Sequence, residues 1–228
     1  MMISPEVYYE LYLKGKNAEQ IMTAIRGLKQ EIVRLKNTME HPEYAPMMHP
    51  SESTRLWCTR LYLERAKEAL AEAGGTYTPS KAELKVAAFE ESIPAICKVV
   101  FSIGGYETRT YTLDEQLHMD VEHSVLLKPS NFHIEPDYQI SKDEFLDGFR
   151  KLHIGEWRTR YDLRRFGYMV CDGTQWELEI YFSNGHKPVK IYGDNAYPYN
   201  FREFKELLGM EPDDLAEIYR YEVKRLNE

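Results

Sequence analysis

The chain has few cysteines and no long apolar run, and each shortage excludes something. Cys58, Cys97 and Cys171 are an odd, widely spaced set with no CxxC pair. Neither a disulfide framework nor a zinc site is indicated, and thiols among apolar neighbours suit a reducing compartment. No stretch approaches the roughly eighteen apolar residues of a membrane span. The N-terminal MMISPEVYYELYLKGK has no basic region followed by an apolar core, so the expectation is a soluble, cytoplasmic protein with no leader. Phosphate-loop and dinucleotide glycine patterns are missing, and Ser102 has one glycine where a nucleophile elbow needs two. His118, Asp120, Glu122 and His123 are the one cluster of metal-ligand types. On the helix expected there the two histidines are five apart and point to different sides, where the zinc-protease arrangement needs an i,i+4 pair. The expectation is a non-catalytic protein without metal or cofactor.

Basic charge is also scarce. Thirty-seven acids against 29 bases give a net charge of −8, which argues against broad attraction to nucleic acid or anionic membrane. Residues 83–138 hold 10 of the acids and 4 of the bases, which makes them the acidic part of any charged docking surface. What is plentiful is apolar and aromatic surface, 43% and 13% of 228 residues, enough for a sizeable core.

The spacing of caps and apolar residues predicts an α+β chain in three segments. Residues 1–75 read as an antiparallel coiled-coil helical hairpin. Ser4-Pro5 opens a short helix that Gly15 ends, and Asn17 with Gln20 forms a capping box. Ile21, Ile25, Leu28, Ile32, Leu35 and Met39 then recur at spacings of 4 and 3, a heptad seam. The proline-rich HPEYAPMMHP breaks the helix. A second helix runs from Ser51 to Ala73 with Leu56, Thr59, Leu63, Ala66 and Leu70 facing the first, closed by Gly74-Gly75. Trp57, Cys58, Leu61 and Tyr62 form a second stripe that must pack on the short first helix, on the rest of the protein or on another copy. LKGKNAEQIMTAI echoes a helix-turn-helix, but its second helix is too long and too charge-balanced to read DNA.

Residues 76–140 read as a helix-hairpin-helix unit with a loop. A helix capped by Ser80 and Glu83 ends before Pro94, two strands flank Gly104-Gly105, and Thr112 with Glu115 caps a helix to about His123. Residues 141–228 read as an antiparallel meander with flanking helices packed on one face. Ser141 with Glu144 caps a helix, Trp157 to Leu163 alternate as a strand, and Asp172-Gly173 and Asn184-Gly185 are hairpin signals. Trp176, Leu178, Ile180 and Phe182 alternate with Gln175, Glu177, Glu179 and Tyr181. Aligning FSIGGYETRTY with FSNGHKPVKIY, Phe101 over Phe182, hints at an internal pseudo-repeat.

Two surfaces are candidates for function. Residues 150–168 carry six bases against two acids, with Trp157, Tyr161 and Phe166 interleaved. Arg150, Lys151, Trp157, Arg158, Arg160, Arg164 and Arg165 would suit nucleic acid by phosphate contact and base stacking. Alternatively, Arg158, Arg160 and Arg164 pair across strands with Glu177 and Glu179. In YFSNGHKPVKIYGDNAYPYNF, residues 181–201, turns, prolines and an Asn200–Glu203 capping box account for much of the composition. His186, Asp194, Asn195, Tyr197 and Tyr199 remain as a candidate contact surface at one end of the sheet.

DGTQWELEIYFSNGHKPVKIYGDNAYPYNF and RLWCTRLYLERAKEA resemble an uncharacterised family of Clostridia-type bacterial proteins associated with mobile elements, over most of the chain. The resemblance implies no activity and no site residues. It implies a bacterial cytosolic accessory protein, of which an inhibitor of a host defence nuclease, anti-CRISPR-like, is one concrete form. A protein partner is therefore expected, with self-association through the hairpin as one route. Nucleic acid is the alternative partner.

Overall fold

A computed structural model describes residues 2–46, 49–105, 115–120, 125–127, 140–169 and 173–210. The chain is α+β and divides into two compact units, residues 1–82 and 83–228.

In the first unit, α1 (Pro5–Tyr12), α2 (Ala18–Met39) and α3 (Glu52–Glu72) form where the caps predict. Ser4 Oγ accepts from the Val7 N–H at 3.2 Å, and Asn17 and Gln20 exchange hydrogen bonds of 3.0 and 3.1 Å. At the end of α3, Gly74 takes φ +74° and the Gly75 N–H reaches back to the Leu70 carbonyl at 2.8 Å. This left-handed closure uses carbonyls that the last helical turn leaves unpaired. α2 and α3 run antiparallel, since Glu31 meets Arg55 at 2.9 Å near one end and Gly75 lies against Ala18 near the other. Ile21, Ile25 and Leu35 are buried from α2, and Leu56, Leu63, Ala66 and Leu70 from α3. Leu28 and Ile32 are only partly buried, so the seam is looser at its centre than a strict heptad repeat implies.

The second stripe of α3 is covered largely from within the unit. Tyr62 hydrogen-bonds both backbone groups of Ile3, donating to the carbonyl at 2.8 Å, and its ring stacks on Tyr8 at 4.4 Å. Cys58 Sγ lies 3.3 Å from Met2 Sδ, and the Arg65 guanidinium sits 3.9 Å from the centre of the Tyr9 ring. Residues 1–82 are therefore a three-helix unit. Trp57 is the member of the stripe left outside, 60% exposed.

The second unit holds α4 (Lys81–Ser92), β1 (Ile96–Gly105), β2 (Glu115–Asp120), β3 (Val125–Leu127), α5 (Lys142–Lys151), β4 (Arg160–Asp162), β5 (Thr174–Phe182), β6 (Val189–Asp194) and α6 (Phe201–Leu207). Six strands make one sheet in the order β3-β2-β1-β5-β6-β4. Every pairing is antiparallel except β4 with β6, which is parallel. The segments 76–140 and 141–228 thus share a single sheet, joined along β1 and β5.

On one face, Val99, Phe101, Trp176, Leu178, Ile180 and Ile191 are buried in a cluster with Phe89, Phe145, Phe149, Phe201, Phe204 and Leu208 from α4, α5, α6 and the residue after α6. Rings meet edge-on, as at Phe101–Phe204 (5.2 Å) and Trp157–Phe204 (5.3 Å), the arrangement that ring quadrupoles favour. The alternation of β5 seen in the sequence is the alternation of these two faces.

Several expectations are corrected. Residues 115–120 form β2, a strand registered with β1 (Lys98 opposite Asp120, Phe101 opposite Leu117), where a helix capped by Thr112 and Glu115 was expected. A capping-box pattern is local, and the unpaired edge of β1 offers this segment a ladder instead. Thr112, Glu122 and His123 lie outside the described residues. Gly104 and Gly105 do not turn a hairpin; they continue β1 opposite Gln175 and Thr174. The strand expected from Trp157 to Leu163 shrinks to 160–162 between two 3₁₀ turns, Ile154–Glu156 and Leu163–Phe166. The meander fails at this strand, because β6 separates β4 from β5. Asp172-Gly173 therefore cannot join β4 and β5 as a tight hairpin, and Asp172 lies outside the described residues. Asn184-Gly185 does lie between antiparallel strands, with Gly185 at φ +81°. The alignment of Phe101 with Phe182 sets a residue in the middle of β1 against the last residue of β5.

Candidate functional site

The arginine segment is not built as a base-stacking surface. Trp157 and Tyr161 are buried in the core, and the Trp157 Nε1–H donates to Asn200 Oδ1 at 3.0 Å. Arg160 pairs with Asp162 of its own strand at 3.5 Å, Lys151 with Asp147 at 2.6 Å, and the Arg165 guanidinium lies over the Phe166 ring at 4.5 Å. Arg150, Arg158 and Arg164 are exposed. Cross-strand pairing of these arginines with Glu177 and Glu179 does not occur either. β6 lies between β4 and β5, and the partner of Glu179 is Lys190.

The tyrosine-rich stretch does not converge at one end of the sheet. His186 follows the β5–β6 turn, its ring against Phe182 at 4.6 Å and its Nδ1 2.8 Å from the Lys187 carbonyl oxygen. Asp194 and Asn195 lie at the far end of β6, opposite the start of β5. Asn195, at φ +51°, accepts the Thr174 N–H on its Oδ1 (2.8 Å) and donates from its Nδ2 to Asp194 (2.9 Å). Its side chain fills the space a Cβ on Gly173 would need, with Oδ1 1.8 Å from that position. Tyr197 stacks beside Trp176 and Phe201, and Tyr199 is half-buried. Asp194, Asn195 and Tyr197 thus gather near the Asp194 end, largely as structural parts, and His186 is at the opposite end.

Asn200 also departs from its expected role. It precedes α6, yet its side chain makes no cap hydrogen bond. Its Oδ1 takes the Trp157 indole N–H and its Nδ2 donates to the Leu152 carbonyl at 2.6 Å, tying α6 to the end of α5 and the turn after it.

What the sheet does gather is a row of polar side chains on the face opposite the helices. Glu177, Glu179 and Tyr181 project from β5. In register with them, Lys98, Val100 and Ser102 stand on β1 and Lys190 and Tyr192 on β6. Glu179 accepts hydrogen bonds from Lys190 and from Tyr181. The Lys98 ammonium lies 5.5 Å from the centre of the Tyr181 ring. Tyr192 stands opposite Glu177 and is 44% exposed.

The two carboxylates differ in their surroundings. Hydrogen bonds from Lys190 and Tyr181 hold Glu179 below the usual carboxylate range. Burial, and then its hydrogen bond with Glu179, push Glu177 up. Lys190 is raised by its bond to Glu179, and Tyr192 by burial and then the Glu177 charge.

No family model, curated protein or solved structure matches this chain. What the face can do follows from its own chemistry. Two tyrosines, two ammonium groups and two carboxylates on one surface offer a mixture of donors, acceptors and ring faces. Lys98, Lys190, Tyr181 and Tyr192 were not singled out by the sequence. The period-two alternation of β5 was the available signal, but it does not reveal which strands flank β5. Among the described residues no helix is long and apolar enough to cross a membrane, and no group of three or more metal-ligating side chains converges.

Proposed function

We propose that this chain is a non-catalytic protein-binding accessory protein that docks a partner through the open face of β1, β5 and β6. The observation that carries this reading is the row Lys98, Tyr181, Glu179, Lys190, Glu177 and Tyr192 on the face away from the helices. Tyrosine is enriched at surfaces that bind proteins, where it supplies ring area at low entropic cost. Nucleic acid is the alternative. It is disfavoured because Glu177 and Glu179 stand in the middle of the row and because Trp157 and Tyr161 are buried. A bacterial, cytoplasmic, mobile-element setting rests on the resemblance and on the cysteine usage, with inhibition of a host defence nuclease as its most concrete form.

The test is capture from a bacterial lysate with wild type and with a Tyr181→Ala/Lys98→Glu variant whose circular dichroism is unchanged. A partner held by wild type and lost by the variant is expected. Capture that survives the double substitution refutes the docking face. Steeply salt-dependent binding of an oligonucleotide at low salt would favour the alternative instead. Self-association through the helical unit is a second reading, favoured by Leu11 and Trp57, 64% and 60% exposed. A light-scattering mass equal to one chain removes it.

A further inference from the structure

The groups on the open sheet face are unequally satisfied. Glu179 has an ammonium and a phenol, Lys190 has Glu179, and Lys98 has the Tyr181 ring. Glu177 is different. It stands two residues along β5 from Glu179 and opposite Tyr192 on β6. Among the described residues no ion pair reaches it, because Lys190, the nearest ammonium on β6, closes on Glu179. A half-buried carboxylate set between Ser102 on β1, a phenol on β6 and a second carboxylate, with no ammonium closed on it, is under-compensated. Beside it, Tyr192 is 44% exposed.

We propose that Glu177 and Tyr192 form the seat for a cationic side chain, arginine before lysine, presented by the protein partner that docks on this face. The proposal rests on the docking reading above and specifies its chemistry. A guanidinium suits the place on two counts. Its planar N–H groups give charge-assisted hydrogen bonds to the carboxylate. Its face stacks on an aromatic ring, which an ammonium does less well. The same carboxylate repels a phosphate or an acidic peptide. Burial works in the same direction, because a carboxylate that the protein leaves with a raised proton affinity gains most when a cation arrives.

The experiment is an NMR titration of the full chain with a tetra-arginine amide and, separately, a tetra-glutamate amide. Tetra-arginine is expected to shift Glu177 and Tyr192 resonances, and tetra-glutamate to leave them in place. Glu177→Gln, equal in size and still folded by circular dichroism, is expected to weaken tetra-arginine binding about ten-fold or more, the scale of one charge-assisted hydrogen bond. Tyr192→Phe, which keeps the ring, loses less than Tyr192→Leu. Tetra-arginine shifts centred elsewhere, equal shifts with tetra-glutamate, or Glu177→Gln binding like wild type would overturn the proposal. The two readings fail separately. If Glu177→Gln leaves both peptide binding and partner capture intact while Tyr181→Ala/Lys98→Glu abolishes capture, the cation seat falls and the docking face stands.

Discussion

Replacing Asn200 by alanine separates two accounts of one residue. As a helix cap, Asn200 would lose about 1 kcal/mol on conversion to alanine and almost nothing on conversion to serine, an equally good cap. As the buried bridge, 8% exposed, between the Trp157 indole and the Leu152 carbonyl, it leaves two desolvated groups without partners. Each such group costs about 1 to 3 kcal/mol, so Asn200→Ala is expected to lose about 3 kcal/mol. Serine is too short to span both partners, so Asn200→Ser is expected to lose nearly as much. The assay is urea unfolding followed by tryptophan fluorescence in a Trp57→Phe background, so that Trp157 and Trp176 report on residues 83–228 alone. Comparison at constant denaturant slope isolates stability. Trp157→Phe removes the donor, and combined with Asn200→Ala should lose less than the two changes added separately, because they share one hydrogen bond. Rescue by serine, or a loss below about 0.5 kcal/mol for alanine, well under the desolvation cost of even one group, would refute the bridge.

Four further outcomes follow from the surroundings of particular residues. Gly193→Ala sets a Cβ 1.8 Å from Trp176 Nε1 and is expected to destabilise by at least about 2 kcal/mol. Gly27→Ala, in the middle of α2 with nothing within 4 Å, is expected to stabilise by about 0.5 to 1 kcal/mol; thermal melts of both variants check the pair. Burial and then a 2.8 Å hydrogen bond to Glu52 push Tyr44 up to about 12. A phenol whose folded value is raised contributes stability that is complete below its unfolded value near 10 and is lost as pH rises through the folded one. Ultraviolet titration of wild type against Glu52→Gln should show a single tyrosine that ionises earlier in the variant. Glu90 has a buried Oε1 without a hydrogen-bond partner and is pushed up by burial. Glu90→Gln is therefore expected to stabilise at neutral pH, with the gain vanishing at acid pH where wild type is protonated too; denaturant midpoints at the two pH values measure it.

Legibility in the sequence tracked how local each signal was. Asn17 with Gln20, Ser51, Ser141 with Glu144, and Gly74-Gly75 all act within about one helical turn, and each ends or begins a helix where its pattern predicts. The same pattern misleads at Thr112–Glu115, and at Asn200–Glu203 it marks the start of α6 without the side-chain cap, each for a physical reason. At residues 115–120 the edge of β1 offers backbone partners, and at Asn200 the Trp157 indole and Leu152 carbonyl take the amide away from the helix end. Alternation in β5 revealed two faces but not which strands flank it. The Glu179–Lys190 and Glu177–Tyr192 pairs follow from the β5–β6 hairpin that Asn184-Gly185 announces, but the pairing of β1 with β5, which sets Lys98 opposite Tyr181, joins segments far apart in sequence and could not be read. The arginines of 158–164 were read as facing Glu177 and Glu179 because neighbours in sequence order were taken as neighbours in space.

The β1–β5 pairing also bears on how the chain is made. β1 is finished at residue 105, but its central partner begins at residue 174 and ends at 182. At about 5 to 20 residues per second, translation needs roughly 4 to 15 s to supply it. For that interval an apolar strand carrying Val99, Val100, Phe101 and Ile103 lacks the neighbour that completes its ladder. The three-helix unit, with all its helices before residue 73, can be complete by then. Slowing synthesis between residues 105 and 182 would therefore be expected to lower the yield of native protein more than the same delay placed before residue 82.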